Sequence, residues 1–257
     1  MPLQLGQAVS NGIRRILTPT GGILLVGFLA LQLLTQASIN TAVTSVFPDG
    51  PAGEIEAALG MTLPVSGTVA GGLFVGAVVL SSAYFAVLSR ALTRPTKELS
   101  SFPSDLYTRR MGRATLSLFV GGLIVGPAIL IGFVLLFIPG IFLAVSFLFF
   151  TFAVGVEDRG IVDGLKRSWE LSRGDRLKLS VLVILAGVIG FISGIVGTLF
   201  DITNAAIVGE LIVNALNSIL FVLLYGIIAA AYLQVQGDSP ERVDTSGVSE
   251  SLDSIGS

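Results

Sequence analysis

No cysteine and no histidine occur anywhere in the 257 residues. The first absence excludes disulfides and thiol nucleophiles, the second removes imidazole acid–base chemistry, and together they exclude the common zinc and haem sites. Charge is scarce as well. Asp, Glu, Lys and Arg make up 12% of the chain, about half the share of about 25% usual in a soluble domain. A Walker-type loop, a nucleophile elbow, a dinucleotide fingerprint and a basic–aromatic nucleic-acid patch are all missing from the sequence. The expectation is a protein that is not an enzyme, with no cofactor, no metal and no nucleic-acid partner.

What the chain does have is apolar length. Hydrophobic residues form 53% of it and the mean hydropathy is +0.88, which points to an all-α, polytopic membrane helical bundle. Six apolar runs, at about 23–46, 66–88, 116–137, 141–156, 179–200 and 205–233, are each read as a transmembrane helix within one membrane domain, residues 1–235. Residues 236–257 form a Ser-, Asp- and Glu-rich acidic tail with few large apolar groups, and disorder is expected there.

Punctuation supports these limits. Thr18-Pro19-Thr20-Gly21-Gly22 should break the chain before the first span, Gly126-Pro127 should kink the third, and Ile138-Pro139-Gly140 leaves room only for a tight turn into the fourth. A rival reading makes Arg14 and Arg15 the n-region, and Ile23–Leu34 the h-region, of a secretory signal peptide. The length and amphipathicity of that n-region, and the apolar stretch running on past Leu34, argue against cleavage. Gly67, Gly71, Gly72 and Gly76 in the second span, and Gly187, Gly190, Gly194 and Gly197 in the fifth, are small-residue strips that suggest close helix packing. The run Phe147, Phe149, Phe150 and Phe152 reads as lipid-facing or core-filling.

All 15 basic residues lie in the N-terminus, the 90–113 connection, the 157–178 connection or the tail. By the positive-inside rule these four segments are cytoplasmic, both termini are inside, and the protein belongs in the cell membrane as a multi-pass protein. Two amphipathic surface helices are expected on that side, over residues 3–17 and in Glu157–Lys178. In the second, Ile161, Val162, Leu165 and Trp169 share one arc and Asp163, Lys166, Arg167, Glu170 and Arg173 the opposite one. Glu157 and Asp158 read as its N-terminal cap, Gly174 as its left-handed C′ residue, and Asp163–Arg167 and Lys166–Glu170 as ion pairs four apart. Lys166, Arg167, Trp169 and Arg173 are candidate contacts for anionic lipid headgroups or a partner, beside the plainer role of a topological anchor. Gly12-Ile13-Arg14-Arg15 also matches Gly164-Leu165-Lys166-Arg167 at an offset of 152. So few matches do not separate an internal duplication from coincidence.

The run Val156-Glu157-Asp158 followed by Gly164-Leu165-Lys166-Arg167-Ser168-Trp169-Glu170-Leu171-Ser172-Arg173-Gly174, preceded by Ile138-Pro139-Gly140 and a Phe-rich span, resembles the membrane-domain family of glycerophosphoryl diester phosphodiesterases and the related YciC-like families. Uncharacterised archaeal multi-pass relatives share it. The resemblance covers about residues 138–180 closely and implies a six-helix membrane domain of unassigned function. Diesterases of that kind use His and metal-binding carboxylates, and this chain has no His, so their activity is not implied.

One intramembrane constellation remains: Glu210, Asn214 and Asn217 lie in a narrow arc of the sixth span. A carboxylate with two amides at membrane depth suggests a proton, cation or solute site, against the plainer reading of hydrogen bonds between helices. Function is thus an unassigned activity of a non-enzymatic membrane-domain or accessory protein, with a small transporter or channel component as the alternative. The topology has a direct test, since the chain carries no native thiol: a cysteine introduced at Ala52 should react with an impermeant maleimide from outside intact cells, and one at Ser246 should stay unlabelled.

Overall fold

A computed structural model describes residues 4–46, 61–95, 98, 103, 105–202 and 206–237. Of the tail expected to be disordered, 236–257, residues 236 and 237 are helical and 238–257 lie outside the described residues, as do residues 47–60. Helix α1 spans Leu5–Ile16, α2 Pro19–Val46, α3 Gly67–Thr93, α4 Asp105–Thr108, α5 Met111–Leu135, α6 Phe137–Ser146, α7 Phe150–Gly155, α8 Ile161–Ser172, α9 Arg176–Ile202 and α10 Ala206–Gly237. No strand occurs among the described residues. Six helical segments are long and apolar enough to cross a membrane: α2, α3, α5, α6 continued by α7, α9 and α10. Their outer faces leave side chains such as Val134 and Ile138 almost four-fifths exposed, surface that hydrocarbon covers in a bilayer.

The break before the first span is shorter than its sequence suggests. Only Leu17 and Thr18 separate α1 from α2. The Thr18 hydroxyl accepts a hydrogen bond from the Gly21 amide at 3.1 Å, and Pro19 takes the first helical position, where its missing N–H costs nothing. Likewise Ile138-Pro139-Gly140 is not the turn. The chain reverses at the single extended residue Leu136, and Pro139 and Gly140 sit inside α6. The next turn shows why glycine is there: a Cβ on Gly140 would lie 2.5 Å from the Phe133 ring. Pro127 is housed inside α5.

The spans pack as α2 with α3, α5 with α6 and α9 with α10, while α3 also touches α5, α7 and α10. An aromatic chain runs through the middle, with Phe28 stacked on Phe221 at 4.4 Å and Phe152 stacked on both Tyr225 and Tyr232 at 5.1 Å. Phe149, Phe152 and Tyr232 are fully buried, so the Phe-rich run mainly fills the core. The glycine strips behave as expected only at Gly67, where a Cβ would run into the Ser45 side chain of α2. A Cβ on Gly71, Gly72, Gly76, Gly187, Gly190, Gly194 or Gly197 would meet nothing within 4 Å, so close packing between spans is not the role of those seven. The surface helices also approach closely: a Cβ on Gly12 of α1 would lie 2.8 Å from the Ile227 amide of α10, and one on Gly164 of α8 2.9 Å from Val154 of α7.

Both surface helices are therefore docked on the bundle. Helix α8 turns Gly164, Ser168, Leu171 and Ser172 inward, a face of small residues rather than the larger apolar arc of Ile161, Val162, Leu165 and Trp169. Val162 is exposed. The reason lies opposite, where the fourth span is broken between α6 and α7. The Ser168 hydroxyl accepts from the Phe149 amide at 3.1 Å and donates to the Ser146 carbonyl at 2.8 Å, so one side chain satisfies two backbone groups that the break frees. Removing it with Ser168→Ala should lower stability by about 1–3 kcal/mol, the cost of unpaired buried backbone groups. Thermal unfolding in detergent checks this, with Ser172→Ala, whose contact to Ser146 is 3.5 Å, expected to cost less.

Candidate functional site

The basic connections converge on one end of the bundle. Arg90, expected in a polar loop, is instead in the last turn of α3 and 8% exposed. Its Nε donates to the Gly155 carbonyl at 2.7 Å, its Nη1 to the Leu106 carbonyl at 3.2 Å, and its Nη2 faces Asp158 at 3.4 Å. Asp158 also takes Arg109. Its φ of 54° lies in the left-handed region, which Asp tolerates better than most residues. Next to it, Glu157 accepts from the Tyr232 hydroxyl at 2.7 Å, Arg159 at 2.6 Å, Arg167 at 3.2 Å and Gln236 at 3.3 Å. Arg15 of α1 reaches the Leu92 and Arg94 carbonyls at the end of α3.

These contacts correct three expectations about α8. Glu157 and Asp158 are not its cap, because Gly160 holds that position without a side-chain bond; arginines claim both carboxylates. Arg167 turns to Glu157 rather than serving an ion-pair lattice along the helix, and Gly174 does not adopt the left-handed conformation. Of the four candidate interfacial residues, Lys166 and Arg173 are exposed, Arg167 is committed to Glu157, and Trp169 stands edge-on to Phe142 with ring centroids 5.5 Å apart.

The intramembrane candidates lie toward the other end. The Met61 amide donates to Glu210 Oε2 at 2.6 Å, while Oε1 is enclosed with no partner among the described residues. Asn214 Nδ2 binds the Glu210 carbonyl of its own helix at 2.8 Å. Asn217 turns to another neighbour, its Oδ1 taking the Ser193 hydroxyl of α9 at 2.6 Å. Sequence reasoning missed the partner stripe on α2. Gln36 Nε2 donates to Asn40 Oδ1 at 3.0 Å, Asn40 Nδ2 to the Met61 carbonyl at 3.2 Å, and Gln32 Oε1 faces the Ser218 hydroxyl at 3.3 Å. Polar groups thus recur every fourth residue on both helices, at 32, 36 and 40 on α2 and at 210, 214 and 218 on α10. In antiparallel register they make a seam about 12 Å long at 1.5 Å per residue. The spacing of Gln32, Gln36 and Asn40 was a readable signal.

The seam ends at a cavity of about 260 Å³ walled by Gln32 and Phe28 of α2, Gly190 of α9, and Asn217, Phe221 and Leu224 of α10, among others. Its walls are apolar apart from the two carboxamides. No group of three or more carboxylates that could hold a metal occurs among the described residues.

Six apolar helices, two docked surface helices, a carboxylate–arginine cluster at one end and a polar seam at the other define a multi-pass helical membrane protein. The chain belongs to the family described as Domain of unknown function (DUF7847), whose model matches residues 3–235. No curated protein and no solved structure matches it.

The carboxylate cluster makes stability depend on pH. Burial would raise the Glu157 carboxyl, but the Tyr232 hydroxyl, Arg159 and Arg167 together outweigh it and hold the group below its ordinary value. A lowered carboxylate pKa contributes stability that is fully present above the unfolded value of about 4.3 and is lost as pH falls through the folded value. Thermal unfolding followed from neutral to acid pH should therefore show a loss setting in below about pH 4.3, and Glu157→Gln should flatten that loss while lowering stability at neutral pH.

Proposed function

We propose that this protein is a non-enzymatic membrane-domain protein whose working element is the seam between α2 and α10, acting as a binding site and passage for a proton or small polar solute in the manner of a transporter or channel component. The observation that carries the reading is the Glu210 carboxylate, with one oxygen bonded to the Met61 amide and the other enclosed without a partner among the described residues. Carboxylates in membrane spans are costly and mark ion or proton paths more often than packing sites. The seam supports it further, since Gln32 is at once its inner rung and a wall of the cavity. Water takes about 30 Å³ per molecule in the liquid, so a space of this size admits a small solute.

The basic end is assigned to the cytoplasm by the positive-inside rule, with the protein in the cell membrane and both termini inside. The likeness of residues 138–180 to the glycerophosphoryl diester phosphodiesterase membrane-domain and YciC-like families favours the same class, a membrane domain without its own chemistry. Absence of Cys and His favours it too. The test is flux in proteoliposomes. Wild-type protein should conduct protons or a small solute above empty liposomes, Glu210→Gln should abolish this, and Asn217→Leu should reduce it by filling the cavity. No flux in the wild type, or equal flux in Glu210→Gln, removes the proposal.

A further inference from the structure

Helix α9 opens on Arg176, whose guanidinium lies over two rings at once, 4.6 Å from the Phe142 centroid and 4.5 Å from the Trp169 centroid. Aromatic faces attract the flat faces of a guanidinium. They leave its N–H edge unserved. Nε and Nη2 of Arg176 are both enclosed and both lack a hydrogen-bond partner among the described residues. These two nitrogens form one edge of the planar group, the fork that accepts two oxygens of a phosphate or carboxylate in parallel. Neighbouring arginines use their donors within the protein: Arg90 and Arg109 on Asp158, Arg159 and Arg167 on Glu157, Arg94 on Asp105. Arg176 alone among these six holds an enclosed fork with nothing on it, and a charged donor left in that state is costly.

We propose that Arg176 anchors a binding site for the phosphate of an anionic lipid headgroup. Two further cations border the Trp169 arc of α8. Lys166 and Arg173 are exposed, make no ion pair among the described residues, and form the near edge of the polar arc, about 60° and 40° from Trp169 around the helix axis. Glu170 and Asp163 lie further round, about 100° and 120° from Trp169, and Asp175 is held by Lys178 at 2.9 Å. Two cations thus lie nearer to Trp169 around the helix axis than either acid of α8 does. Apolar surface adjoins it, with Leu177 87% and Val162 62% exposed. A free phosphate would leave those side chains in water, whereas the acyl chains of a lipid cover them. The combination of a planar donor fork, extra positive charge and adjacent apolar surface fits a diacyl lipid carrying a phosphodiester.

Trp169 is the only tryptophan in the chain and forms a wall of the site, so its fluorescence reports occupancy directly. Purified protein in a neutral detergent is titrated with dihexanoylphosphatidylglycerol, with dihexanoylglycerol carrying the same chains and no phosphate, and with inorganic phosphate. The phosphatidylglycerol should give a saturable change in emission, with the other two binding about tenfold or more weaker, the range a charged bidentate hydrogen bond supplies. Arg176→Gln should weaken phosphatidylglycerol by a similar factor, and Arg176→Lys, which keeps charge but not the fork, should fall between. Equal binding of dihexanoylglycerol, or unchanged affinity in Arg176→Gln, overturns the proposal. Inorganic phosphate binding as tightly as the lipid overturns the lipid assignment and leaves a soluble phosphate site. The three wild-type titrations decide between these outcomes even where a variant fails to fold.

Discussion

A guanidinium buried at the end of α3 has to be neutralised where it stands, and the basic end of the molecule is arranged to do so. Arg90 draws the α7 carboxyl terminus through Gly155, the α4 segment through Leu106, and the turn into α8 through Asp158. The left-handed backbone at Asp158 costs about 1–2 kcal/mol for an ordinary residue and less for Asp. An uncompensated buried charge costs about 3–5 kcal/mol. The pairing therefore wins and dictates the local backbone. Glu157, one residue earlier, ties α8 to the end of α10 through Arg167, Tyr232 and Gln236 in the same way.

With α8 held by Glu157, five residues of the Lys166–Arg173 motif fall into place. Arg167 supplies the tie, Ser168 closes the break in the fourth span, Trp169 stands edge-on to Phe142 and beneath Arg176, and Leu171 and Ser172 complete the buried face. The helix is thus a bracket docked on the bundle. A hydrophobic-moment argument predicts the helix but misidentifies its buried face, because such arguments weight large apolar residues. Here contact is made by Gly and Ser, whose small size lets backbones approach and whose hydroxyls serve the Ser146 carbonyl and the Phe149 amide.

The far end follows a different logic. There the spans meet across carboxamides and hydroxyls, and a seam of this kind holds two helices in one register because each polar group must find a partner in a medium without water. The register places Asn40 and Glu210 on the same residue, Met61, from opposite sides. Tight hydrogen bonding and a neighbouring cavity coexist because Asn217 faces α9 rather than α2.

Composition and periodicity were enough to establish an all-helical chain with six spans, two amphipathic helices and basic residues gathered in alternate connections, since hydrocarbon length and backbone satisfaction leave few other solutions. Glu210 is visible as a candidate in the sequence because charge in an apolar run stands out on its own. Its partner stripe was not, since amides at spacing four look ordinary until a second helix is set against them. For Arg90 the sequence leaves the helix boundary near Pro95 ambiguous by a turn, and that turn decides whether the arginine is solvated or buried. The sequence by itself determined which segments enter the membrane and which end of each is basic, because those depend on the free energy of each segment in its solvent. Tertiary structure alone decided which carboxylate meets which arginine, which glycines are approached and which stand open, and which guanidinium edge has no partner among the described residues, because those depend on the relative placement of helices far apart in the chain.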